Sequence, residues 1–120
     1  MRTESASVRK PRWVGGSVFN NPSSGTVLAD TGPISAASPL GSVYEYIVVA
    51  SSTTSAQLLV EHRDANNAST IESFNVLLPA GVVAFPAPVK ISQNERVRVV
   101  LVSAITGSIS VGLLETRTHD

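Results

Sequence analysis

Two imidazoles are the first candidates for chemistry in this 120-residue chain, His62 and His119. His62 sits in the run Glu61-His62-Arg63-Asp64. On an extended strand His62 and Asp64 would share a face, the least arrangement that acid–base work requires. No Gly-x-Ser-x-Gly elbow supplies a nucleophile for such a pair. A strand-end histidine paired with Glu45 is therefore expected instead. Glu45, Glu61, Glu72 and Glu95 fall on separate segments, and no His-x-x-x-His pair, EF-hand loop or Asp-rich repeat gathers them around a metal. The chain has no cysteine, which excludes disulfides and thiolate metal sites. Gly15-Gly16 and Gly41 lack the strand–turn–helix setting of a phosphate loop. The expectation is a non-enzymatic protein with no catalytic, cofactor or metal-binding residue.

Binding chemistry is better represented. Arg2, Arg9, Lys10 and Arg12 oppose only Glu4 in the first twelve residues, whereas five Lys/Arg and eight Asp/Glu follow in the remainder. A short cationic segment beside Trp13 is a minimal footprint for nucleic acid. Aromatic residues are only 5% of the chain, though, and no stacking platform accompanies them, so nucleic acid is an unfavoured partner. Arg9, Lys10, Arg12, Trp13 and Phe19 fit better as an arm that lies on an acidic neighbouring protein, with the aromatic rings as anchors. The alternative is that Trp13 caps the core of its own domain. Tyr44 and Tyr46 could serve as a carbohydrate platform if both faced solvent. Asn67-Ala68-Ser69 matches a glycosylation sequon, which matters only in a secreted eukaryotic chain.

The elements that must position these residues are all β. Residues 1–41 contain Pro11, Pro22, Pro33 and Pro39 with five glycines, and no helical period survives that punctuation. An extended arm is expected over residues 1–24, and short strand pieces within residues 1–41 are expected around Arg12–Val14 and Thr26–Ala29. Beyond it, Ser42–Ser51, Ala56–Arg63, Thr70–Leu78, Val82–Phe85, Val89–Ile91, Glu95–Ser103 and Ser108–Arg117 are short, β-rich and bounded by turn clusters. That pattern predicts a single all-β domain over residues 25–120, a β-sandwich or jelly roll. No apolar run reaches 18 residues, so no membrane-spanning helix is expected, and no stretch near the N-terminus looks like a secretory signal.

Two hairpins can be registered on these segments. A four-residue loop Ser52–Ser55 would set Val49 opposite Leu58 and Glu45 opposite His62, leaving Tyr44 and Tyr46 outward. A two-residue turn at Thr106-Gly107 would set Val100 opposite Leu113 and Arg98 opposite Glu115. The second hairpin would then be apolar on both faces, with Val97, Val99 and Leu101 left over. A two-layer sandwich buries one face of each sheet, so the surplus around Tyr44, Tyr46, Val99 and Leu101 must meet a second subunit, a host surface or the N-terminal arm of the same chain. Composition agrees in direction. Charged residues are 15% and hydrophobic residues 42%, with seventeen Ser and nine Thr filling the polar share. A surface this poor in charge repels neighbours weakly.

Several short stretches together resemble the small β-sandwich virion proteins of tailed bacteriophages, of the capsid decoration or cement type. They are Val27-Leu28-Ala29-Asp30-Thr31-Gly32, Val60–Asn67, Leu78-Pro79-Ala80, Asn94–Val99 and Ile105–Ile109. The resemblance implies a protein that binds and reinforces an assembled head shell, often as a homotrimer, with a major capsid protein or another virion protein as partner. It implies a place in the virion after assembly in bacterial cytoplasm. A head–tail connector, a tail or fibre component, and a carbohydrate-binding module are the other readings.

Overall fold

The structure, a computed structural model, describes residues 12–36 and 38–119. Eight strands follow one another: β1 (Arg12–Asn20), β2 (Val27–Asp30), β3 (Ser42–Ser52), β4 (Ala56–Arg63), β5 (Thr70–Leu78), β6 (Gly81–Ile91), β7 (Arg96–Leu101) and β8 (Ser108–His119). They form two four-stranded antiparallel sheets, sheet A in the order β1-β8-β3-β6 and sheet B in the order β2-β7-β4-β5. The pairs β1–β8, β2–β7, β3–β6 and β4–β5 are those of one long hairpin, doubled back at residues 64–69 and rolled into two layers. This is the strand order of a jelly roll.

The fold class expected from sequence is the one observed, and the departures concern register. β3 and β4 do not pair; they lie in different sheets, as do β7 and β8. The two segments read as hairpin turns are arches between layers, and they bind each other. Thr53 N donates to the Ser108 carbonyl at 3.0 Å, and Ser108 N donates to Thr53 Oγ1 at 2.9 Å. Gly107 sits between them at φ +129, where a Cβ would collide with Thr53 Oγ1. An arch and a hairpin share the same alternation of apolar and polar residues, so the period alone does not separate them.

Correcting the arches reverses the faces. Tyr44, Tyr46, Val48 and Ala50 of β3 point inward and meet Leu58 and Val60 of β4, all at or below 2% exposure. Val99 and Leu101 are fully buried. None of the four residues assigned to a partner surface, Tyr44, Tyr46, Val99 and Leu101, reaches solvent. Each buried Val or Leu contributes roughly 1.5–3 kcal/mol by removal from water. The tyrosines carry polar tips that need partners, and they have them: Tyr44 Oη donates to the Ser35 carbonyl at 2.7 Å, and Tyr46 Oη to Glu115 Oε2 at 3.1 Å. Burial and the negative charge of Glu115 push the Tyr46 phenol far above its ordinary pKa.

The arm also changes character. From Arg12 onward it is β1, an edge strand of sheet A, continuous to Asn20 and kinked where the register shifts between Gly15 and Val18. Arg9 and Lys10 lie outside the described residues. The segments Val82–Phe85 and Val89–Ile91 are one strand, β6, which runs through Pro86 and Pro88. A strand tolerates proline at a sheet edge, and β6 is an edge.

Candidate docking surface

With both inner faces committed to the core, the outer face of sheet A stands out for what it lacks. The registers place Trp13 beside Leu114, Leu114 beside Ile47, and Ile47 beside Pro86, an apolar row across all four strands. The next row is Gly15, Gly112, Val49 and Ala84. Beyond it Val18 and Val82 flank Ser110 and Ser51, and both valines are well exposed. The indole of Trp13 lies flat over Gly112: a Cβ there would stand 2.8 Å from Trp13 Cζ3. Glycine is thus what lets the ring seat against β8 while remaining 58% exposed. A depression of about 310 Å³ opens beside the row, lined by Glu45, Ile47, Pro86, Pro88 and Thr116 with the edge of Tyr46. Among the described residues charge enters this face at its rim, through Glu45 and Lys90 toward one end and Arg12, whose Nε is 3.9 Å from Glu115 Oε1.

The outer face of sheet B is different. Arg98 Nε donates to Glu61 Oε1 at 2.6 Å, Thr70 Oγ1 donates to Glu61 Oε2 at 2.7 Å, and Arg96 pairs with Asp30 at 3.2 Å. Burial alone would raise the Glu61 pKa, but the hydrogen bonds from Thr70 and Arg98 and the nearby guanidinium charges outweigh it and hold the carboxyl below its usual range. Arg98 therefore pairs across β7–β4 with Glu61 and not with Glu115 as the hairpin reading had it. This ladder neutralises itself and leaves little for a ligand.

The histidine also finds other partners than expected. His62 is buried on the inner side of β4, with Nε2 at 2.7 Å from Glu95 Oε1 and Nδ1 at 3.8 Å from Glu72 Oε1, and Glu45 is not its partner. Asp64 turns into the β4–β5 connection and accepts from Ala68 N at 2.8 Å. The two residues that a shared face would have coupled are thus engaged separately. Two depressions adjoin at His62 and Glu72, of about 160 Å³ and about 290 Å³, each below the roughly 300–1,000 Å³ of ordinary ligand pockets. Among the described residues no three His, Asp or Glu side chains converge as a metal site.

Of the residues singled out in the sequence, Trp13 alone presents a large exposed surface on a coherent face. Phe19 faces inward and packs half-buried against the core, and Arg12 stands at the rim. Leu114 belongs to the surplus apolar face of the Thr106-Gly107 hairpin in the sequence pattern, whereas Ile47, Pro86 and Val82 are not picked out there as surface residues. Their signal was present as apolar residues at the outward phase of β3, β6 and β8, but it becomes visible only once the strand order sets them side by side.

No family model matches the chain, and no curated protein matches it. Among solved structures, the chain superposes on the enzymatically active domain of tailspike protein 4 from bacteriophage CBA120 with a TM-score of 0.51 and 15% identity, covering 93% of this chain and 19% of that one. It also superposes on the CBM1 module of BiXyn10A in its apo form with a TM-score of 0.49 and 10% identity, covering 88% and 91% of the two chains. The first likeness is one of fold.

Proposed function

We propose that this chain is a non-catalytic structural protein of a phage particle that docks, through the outer face of sheet A, onto the assembled shell as a decoration or cement protein. The observation that carries the reading is the uncharged apolar row Trp13–Leu114–Ile47–Pro86 across one sheet face, exposed at Trp13 and Pro86 and half-buried at Leu114 and Ile47. An exposed tryptophan beside half-buried aliphatic side chains is the composition of an interface hot spot. The occupant is a protein surface of matching apolar character, since the face offers almost no charge for a polyanion and no enclosed pocket for a small molecule. The resemblance of the sequence to decoration proteins supplies the shell as its location. A protein that binds the assembled form better than free subunits stabilises that form by mass action.

The carbohydrate reading built on Tyr44 and Tyr46 falls away, because both rings are inside the core. The test is a sedimentation assay with purified heads. Trp13→Ala should fold normally and lose about thirtyfold in affinity, the size expected for truncating a hot-spot aromatic at about 2 kcal/mol. Ile47→Asp should abolish attachment. Full occupancy of heads by both variants would refute the docking face. Density for the chain at the tail or fibre in an electron-microscopy map would move it elsewhere in the virion.

A further inference from the structure

The four sheet edges are not equally protected. β2 is four residues long and β1 is kinked by its register shift at Gly15–Val18. β6 carries Pro86, Pro88 and Lys90, which remove donors and add charge. β5 carries a register shift only at its start, between Thr70 and Glu72, and is regular from Glu72 to Leu78. Its nine residues contain no proline, glycine, lysine or arginine, and among the described residues its outer edge pairs with no strand. Its side chains are exposed along almost the whole length, including Phe74 at 41% and Leu77 at 77%. Natural sheets rarely leave such an edge open unless a strand is to be added there.

We propose that the added strand is β5 of a second copy, paired antiparallel about a two-fold axis at Asn75. The strand is self-complementary in that register. Its regular stretch, Glu72–Leu78, is centred on Asn75. A two-fold there sets Phe74 against Val76 of the other copy on the inner side, Ser73 against Leu77 on the outer side, and Glu72 against Leu78. The one charge of the stretch meets an aliphatic residue, so no like charges oppose each other. The exposed rim of Phe74, in edge contact with Phe85 at 6.4 Å, is covered in the process. The interface is isologous and closes at two copies, which uses up both open edges.

The axis of an antiparallel strand pair stands perpendicular to its sheet, so both sheet A layers lie on the same side of the joined sheet B. Two Trp13 faces then point the same way. Resting on the docking role proposed above, the dimer would attach bivalently, with the second contact strengthened by effective concentration.

The experiment is light scattering on the purified full chain, with no heads present. Wild type should be a dimer. Asn75→Lys alone and Asn75→Asp alone should each dissociate at least about tenfold more readily, because like charges meet at the axis. An equimolar mixture of the two variants should restore the dimer, a rescue that a merely destabilised fold would not give. A wild-type monomer or trimer, or an Asn75→Lys dimer as tight as wild type, overturns the proposal. Head binding then separates the two ideas. Trp13→Ala should dimerise normally yet bind heads poorly, and Asn75→Lys should bind heads more weakly than wild type while keeping its Trp13 face. If Asn75→Lys is monomeric and binds heads as tightly as wild type, bivalency is wrong and the docking face stands.

Discussion

Glu61 illustrates how much one side chain's surroundings decide. Its side chain is 9% exposed, yet it stays ionised because Thr70 and Arg98 donate to its two oxygens. Its folded pKa lies below the ordinary value of about 4.3, so the native state holds the proton less tightly than the unfolded chain. The stability that follows is fully present above the unfolded pKa and is lost as pH falls through the folded one. Urea midpoints measured over a pH series should therefore decline below about pH 4 in wild type, and Glu61→Gln should flatten that part of the decline. An unchanged slope would show that Glu61 is not the group responsible. Little of this was legible in the sequence. The turn at Thr106-Gly107 sets Arg98 opposite Glu115 in the sequence pattern, the carboxylate across the nearest turn. Glu115 instead lies inside, 1% exposed, under the Tyr46 hydroxyl.

At the level of strands, most elements could be read and their pairing could not. The bounds of β4 and β5 agree with the sequence pattern because Arg63–Thr70 is a true hairpin connection, where local turn chemistry and tertiary pairing coincide. At Ser52–Ala56 and Leu101–Ser108 they do not coincide, and a turn-like sequence bridges two layers. The surplus of apolar strand surface was a correct inference from alternation, placed on the wrong strands. It belongs to the outward phase of sheet A and to the exposed edge strand β5, and not to Val99 or Leu101. The packing of β1 on β8 offers a direct test. Gly112→Ala inserts a methyl beneath the Trp13 ring, 2.8 Å from Cζ3. Stability should fall by about 1 kcal/mol, the low end for an inserted methyl, since the ring can swing outward. Trp13 is the sole tryptophan, so its emission should shift to longer wavelength as it lifts. An unmoved spectrum would mean that the ring does not rest on that glycine.

For the whole molecule the governing feature is nesting. Arg12 pairs with Glu115, Val27 with Val100, and Ser42 with Ile91, so each pair encloses the next down to the β4–β5 turn. Contacts this remote in sequence carry a large loop-closure cost before they return any stability. Stopped-flow refolding followed by Trp13 fluorescence should show rates on the order of milliseconds to seconds. A submillisecond phase with full amplitude would contradict the topology. Such nesting is not written in any one segment, which is why composition and alternation reached the fold class and stopped short of the strand order.

The same enclosure bears on how the chain leaves the ribosome. At roughly 5–20 residues per second, β1, β2 and β3 emerge seconds before β6, β7 and β8, the strands they must join. Through that interval Tyr46, Val48 and Leu58 have no layer to close over them. The nascent polypeptide is thus at its most adhesive while half-made. Whatever holds translating copies apart, whether spacing on the message or a chaperone at the exit tunnel, governs the yield of intact molecules.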